Sequence, residues 1–346
     1  MPGSWPDHMK RFQITSSDLG NSITVSRLSR PNTGINILSV LGNFRLALTK
    51  SNPFIHPRHL INRTMAISAT VPRGDVTATL NFFNPPADSA KPFNFVDTPP
   101  EGQPQRNFSD SPQKTVIHDI RGREANFNLD NDAFQIIQNV APSKEVEFRD
   151  DQSIQDNYYP EIEQLLLKNI PGSSRVYLFD HTIRRQELDA KRGPVTRVHI
   201  DQTAEATAQR VRRYFPEEAD KLLQGRYRIV NVWRPLNKTP LEAFPLAVAS
   251  SASVEDDDVI PVEHRYPSGY QGWTAAIRHN PDQKWYYLSG MTGNERLLLE
   301  CFDSDSLKLE SKIKGRVPHT AFEDPRTRAD AEGRESIEVR ALVFGP

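Results

Sequence analysis

One cysteine in 346 residues, Cys301, leaves no partner for an intrachain disulfide and excludes a cysteine-based structural zinc site. Set in the apolar run LLLECF, it reads as a buried small hydrophobe. Basic charge is not in excess: 43 Lys and Arg face 44 Asp and Glu, a formal net charge of −1. Without that excess, neither a nucleic-acid partner nor an anionic membrane surface is expected. No apolar run approaches the roughly 18 residues of a membrane span. The N-terminal MPGSWPDHMKRF has no apolar signal-peptide core, so a cytoplasmic protein is the expectation. A Gly-rich nucleotide loop, a Gly-x-Ser-x-Gly elbow and a Cys-x-x-Cys pair are also missing.

Proline is plentiful by contrast, with 27 residues. Its ring fits neither helix interiors nor central strands, so many loops and few long helices are expected. Residues 96–113, VDTPPEGQPQRNFSDSPQ, contain four prolines and little that is apolar. Such a segment cannot bury enough surface to offset its ordering entropy. It therefore predicts a linker or lid that closes an N-terminal extension, 1–113, ahead of a main domain, 114–346. Helical spacing is visible at Phe134, Ile137 and Val140, behind a cap at Asp130 or Asp132, and at Ile162, Leu165 and Leu166 behind Pro160. It recurs at Ala204, Ala208 and Val211, and in PEEADKLLQG, which ends at Gly225.

From about residue 174 the pattern becomes strand-like. Eight segments follow one another: RVYLFDHTIRR, TRVHIDQT, RYRIVNVWRPL, PLAVASS, WYYLSGM, RLLLECFDS, VPHTAF and SIEVRALVF. Eight strands with flanking helices predict a mainly β fold, a double-stranded β-helix of jelly-roll, cupin-like type.

The second of these strands carries the chemistry. Alternation puts His199 and Asp201 on one face and Val198 and Ile200 on the other. An imidazole and a carboxylate projecting together can bind one metal ion. His319 follows several strands later, and Arg334-Glu335-Ser336 comes fifteen residues after it. Two histidines and one carboxylate leave three positions open on an octahedral ferrous ion, the arrangement of non-haem iron oxygenases. A guanidinium and hydroxyl at Arg334 and Ser336, on one strand face, can grip a carboxylate such as the distal end of a 2-oxo acid. Arg340 shares that face. Asn231 and Trp233 share a face of NVWRPL and are candidates for the substrate pocket. His118, His181 and His279 read as capping, surface or turn residues, and Glu255 to Asp258 as a solvated loop.

These segments resemble a fungal secondary-metabolism hydroxylase/desaturase family, related to a subunit of the cephem 7α-methoxylase system. The similarity runs from YYPEIEQLLL to SIEVRALVF, roughly residues 157–344. It implies a dioxygenase (an oxidoreductase) using Fe(II), 2-oxoglutarate and O2, with His199, Asp201 and His319 as metal ligands. Arg334, Arg340 and Arg234 in NVWRPL are rival candidates for the 2-oxoglutarate arginine. The substrate would be a small-molecule natural-product intermediate, open to hydroxylation, desaturation or cyclisation. Two alternatives stay open: a Zn or Mn cupin-type hydrolase or isomerase, and a non-catalytic partner subunit of a biosynthetic enzyme. A homo-oligomer is equally open.

Overall fold

All eight segments with strand-like alternation form strands in the chain's computed structural model, which describes residues 70–186, 193–266 and 271–345. They are β5 (Arg175–Arg185), β6 (His199–Ile200), β7 (Tyr227–Pro235), β8 (Leu246–Ala249), β11 (Trp285–Tyr287), β12 (Arg296–Asp303), β13 (His319–Ala321) and β14 (Glu335–Phe344). Six further strands join them among the described residues: β1 (Val76–Asn84), β2 (Phe93–Phe95), β3 (Ser109–Asp119), β4 (Phe134–Ile137), β9 (Val259–Arg265) and β10 (Gln271–Ile277). One sheet has nine strands in the order β1-β3-β11-β8-β13-β6-β10-β9-β2, and the other has five, β4-β12-β7-β14-β5. The five-stranded sheet is antiparallel throughout. The two make a double-stranded β-helix.

The five-stranded sheet is covered on both faces. Its outer face carries Val230, Val232, Ile337 and Val339, packed on Ile162, Leu165 and Leu166 of the helix Tyr159–Asn169. That helix has the apolar spacing read from the sequence. It is entered through a wide turn at Ile154–Tyr158, which accommodates Pro160, a residue with no N–H to bond backwards. The inner face carries Asn231, Trp233, Glu338 and Arg340, turned toward the nine-stranded sheet.

One helical expectation needs correction. Phe134, Ile137 and Val140 do not form a helix. A single helical turn, Leu129–Asp132, ends at Ala133 in the left-handed region (φ 59°), and β4 then buries Phe134 and Ile136 with period two against β12. The strands β9 and β10 were hidden by Pro261 and by the acidic residues before them. Pro261 is tolerated because β2 pairs β9 only at Glu263–Arg265, leaving an edge at the proline.

The boundary expected at 113/114 falls inside β3, and β1 and β2 belong to the nine-stranded sheet. Within the Pro-rich segment, Phe108 is buried and Val96 N–H donates to the Arg265 carbonyl at 3.0 Å. Residues 1–69 lie outside the described residues. Among the described residues no helix is long and apolar enough to cross a membrane.

Candidate metal and co-substrate site

β6 is only two residues long because helix-forming sequence follows at once. The Thr203 hydroxyl accepts from Ala206 N–H at 3.3 Å and caps the helix Ala204–Tyr214. His199 therefore ends a strand, and Asp201 sits in the bend between strand and helix. β13 pairs β6 with His319 directly opposite His199, and cross-strand partners share a face. The two imidazoles lie 4.4 Å apart between centroids, and Asp201 Oδ1 is 3.5 Å from His199 Nε2. One ligand atom from each of the three residues falls within 4.8 Å of the others. Among the described residues this is the one such cluster.

Each ligand candidate is held by a second partner. His199 Nδ1 lies 2.8 Å from the Arg197 carbonyl, and His319 Nδ1 lies 3.1 Å from that of Val317. A carbonyl only accepts, so both Nδ1 atoms carry the proton and both Nε2 lone pairs are free for a cation. Asp201 Oδ2 accepts from Asn231 Nδ2 at 2.8 Å and from Arg340 Nε at 3.2 Å, leaving Oδ1 beside the histidines. Burial alone would raise the Asp201 carboxyl. The Arg340 guanidinium beside it, with the two imidazoles adding, outweighs burial and holds the carboxyl well below the usual range. Burial, reinforced by His199, pushes the His319 imidazole down, which favours the neutral form that a metal ligand needs.

The three candidate arginines occupy different surroundings. Arg340 is enclosed by carboxylates, reaching Asp201, Asp180 at 3.1 Å and Glu338 at 3.2 Å, with the Thr182 hydroxyl at 2.9 Å. Arg234 lies on the opposite face of β7 from Asn231 and Trp233, over the rings of Phe148 and Tyr158 at 5.2 and 5.7 Å. Its even position turns it toward the covering helix and away from the triad. Arg334 is 2 % exposed. Its Nη1 donates to the Phe244 carbonyl at 2.9 Å and its Nε to Ser336 Oγ at 3.3 Å, and its guanidinium stacks 5.1 Å from the Trp233 ring. Among the described residues no carboxylate bonds it. Burial, with Arg184 adding, pushes the guanidinium down to about 9, and Glu338 only partly offsets this. A buried cation without an anion is costly, and it fits a site that receives one.

Trp233, Leu246 and Val248 share one apolar cluster, and Val248 is the cross-strand partner of His319. The Arg334 side chain reaches Phe244, two residues before β8. This apolar wall therefore runs from the triad to the buried guanidinium. Asn231 is fully buried behind Asp201, bonded to it and to Glu338. Trp233 lines the wall, and both hydrogens of the Asn231 amide are committed to those two carboxylates.

Glu338 and His264 were not singled out from the sequence. His264, on β9 opposite Gly272, is half-buried. Burial pushes its imidazole down, with Asp201 opposing. A strand register places it on the triad-bearing face, but only once β9 is recognised as a strand. His118 pairs with exposed Asp75 at 2.7 Å, and His181 bonds Tyr159 at 2.9 Å, both apart from the triad.

A family profile described as an oxidoreductase/YMDC permease-like domain matches residues 80–344. The hydroxylase/desaturase poxK of Penicillium oxalicum is 41 % identical over 66 % of this chain and 78 % of its own length. The hydroxylase/desaturase efuI of Hormonema carpetanum is 32 % identical over 80 % of this chain and 98 % of its own. The Fe(II)/2-oxoglutarate-dependent dioxygenase nvfI of Aspergillus novofumigatus is 31 % identical over 67 % and 83 %. A solved structure of the iron and alpha-ketoglutarate-dependent endoperoxidase NvfI superposes with a TM-score of 0.70 at 30 % identity, covering 79 % of this chain and 99 % of that one. The chain belongs to the family of fungal hydroxylase/desaturases and Fe(II)/2-oxoglutarate-dependent dioxygenases.

Proposed function

We propose that His199, Asp201 and His319 hold Fe(II) and that Arg334 with Ser336 holds the distal carboxylate of 2-oxoglutarate in this dioxygenase. The observation that carries the reading is the convergence of three donor atoms within 4.8 Å, with both imidazole Nδ1 atoms already engaged elsewhere. Bound Fe(II), with 2-oxoglutarate and O2, supplies an oxidant able to break a C–H bond while succinate and CO2 are released. The chain's own residues set the conditions for that chemistry. His199 and His319 present neutral Nε2 atoms, Asp201 presents one oxygen, and Arg334 neutralises and orients the co-substrate. Trp233, Leu246 and Val248 would exclude water between the triad and Arg334 once the co-substrate is bound.

The bare cation at Arg334 favours this over a Zn or Mn hydrolase with the same ligands, which has no use for it. The substrate belongs to a small-molecule natural-product pathway. We propose further that the enzyme is cytoplasmic, which fractionation of expressing cells tests, and that it works as a homo-oligomer or with a partner biosynthetic subunit, which its mass in solution and turnover by the purified chain test. For the site, His319→Ala is the direct check: loss of Fe(II) retention and of succinate formation, with the circular-dichroism spectrum kept, is expected. Full Fe(II) retention in that variant overturns the assignment.

A further inference from the structure

The inner face of β14 carries a row of polar side chains, Ser336, Glu338 and Arg340, continued upstream by Arg334. Glu338 is the member without a role so far. It is 8 % exposed and lies opposite Trp233. Its Oε1 accepts from Asn231 Nδ2 at 2.8 Å, and its Oε2 from Arg340 Nη2 at 3.2 Å. The same two side chains also donate to Asp201 Oδ2, at 2.8 and 3.2 Å. Asp201, Asn231, Glu338 and Arg340 thus close a ring of hydrogen bonds in which two carboxylates alternate with two donors.

The ring fixes orientations that no member could fix alone. Both hydrogens of Asn231 Nδ2 are used, while Asn231 Oδ1 is buried without a partner. Flipping the amide would turn that oxygen toward two carboxylates, so Glu338 and Asp201 together decide which way Asn231 points. Arg340 is likewise held between Asp201 and Glu338, with Asp180 and Thr182 on its Nη1. Asp201 Oδ2 is left fully engaged and Oδ1 stands beside His199.

We propose that Glu338 is a positioning residue for the metal centre: by bonding Asn231 and Arg340 together, it keeps both donors on Asp201 Oδ2, so that Asp201 offers the metal one oxygen rather than two. One-oxygen ligation keeps positions free for co-substrate and oxygen. The inference rests on the triad reading above. It differs from a purely structural role, in which Glu338 serves only as a counter-charge for Arg340 and its loss changes stability alone.

The test uses the full metal-free chain titrated with Co(II), followed by its visible absorption, which responds to ligand number and geometry. Glu338→Gln is isosteric but turns one acceptor into a donor, which must face either Asn231 Nδ2 or Arg340 Nη2 and open the ring. Partners one step behind a metal ligand change affinity by roughly 10–100-fold. The expected result is Co(II) binding weaker by that factor, with altered visible bands. Combining Asn231→Ala with Glu338→Gln should weaken binding no further than the larger single effect, because both act through one ring. Binding within twofold of wild type, with unchanged bands, overturns the proposal. If Glu338→Gln does not fold, Arg340→Lys keeps the charge but cannot span both carboxylates. It carries the same expectation and the same refutation. Failure of the triad reading looks different: wild-type protein does not bind Co(II), or binding survives His319→Ala.

Discussion

Replacing Arg334 by methionine should abolish co-substrate binding without weakening the metal-free fold. Methionine is flexible and can fill much of the space that the arginine leaves beside Trp233. Two charged hydrogen bonds to a carboxylate are worth roughly 1.5–3 kcal/mol each. Their sum, about 3–6 kcal/mol, corresponds to at least about a hundredfold in affinity. In the free protein the balance runs the other way. Among the described residues the guanidinium is buried, has no carboxylate partner, and keeps only the Phe244 carbonyl, the Ser336 hydroxyl and the Trp233 ring. An unpaired buried cation costs several kcal/mol, so its removal offsets the two hydrogen bonds lost. Arg334→Lys keeps the charge and loses the fork, and should weaken 2-oxoglutarate by about tenfold. Anaerobic calorimetry of metal-loaded protein reads the affinity, and thermal melting of metal-free protein reads the stability. Unchanged 2-oxoglutarate affinity in Arg334→Met refutes the reasoning, because no other buried guanidinium on this face lacks a carboxylate among the described residues.

Ser336→Ala removes one neutral partner of Arg334 and should cost about 1 kcal/mol of 2-oxoglutarate binding, a fewfold rise in KM. A loss as large as that of Arg334→Met contradicts the ranking. Glu300 is fully buried with neither carboxylate oxygen bonded, and burial, with Asp303 adding, raises it well above the usual range. Below its unfolded value its contribution to stability is fully present. As pH rises toward the folded value, the unfolded chain releases a proton that the folded protein keeps, and stability is lost. Glu300→Gln should remove that part of the decline as pH rises above the unfolded carboxyl's value of about 4.3. Parallel Tm-against-pH curves for wild type and variant count against it.

Much of the architecture is legible because period-two alternation survives in single segments. RVHIDQT buries one parity, Val198 and Ile200, and the parity of His199 and Asp201 alone puts both on one face, whereas SIEVRALVF is buried on both faces and its alternation is one of chemistry, Ile337 and Val339 against Ser336 and Glu338. What alternation cannot supply is which of several same-face groups finds a partner. Arg334 and Arg340 share a face of one strand. Only the approach of Asp201, from the bend after β6, and of Asp180, from the neighbouring β5, shows that Arg340 is neutralised and Arg334 is not. Arg234 is a case where parity was sufficient, since its even position already separated it from Asn231 and Trp233. Phe134, Ile137 and Val140 misled because three residues at helical spacing are too few. A left-handed Ala133 and pairing with β12 decide the outcome there. Glu338 was passed over since its importance lies in closing a ring whose other members come from β7 and the bend after β6.

The measurement that tests the account most directly is an anaerobic titration of the metal-free chain with Fe(II) and 2-oxoglutarate, watched for the weak visible charge-transfer band of an iron-bound 2-oxo acid. The account predicts a band that saturates at one Fe(II) per chain, requires both components, and is lost in His199→Ala. A chain that binds no Fe(II), or a band that persists undiminished in His199→Ala, contradicts it.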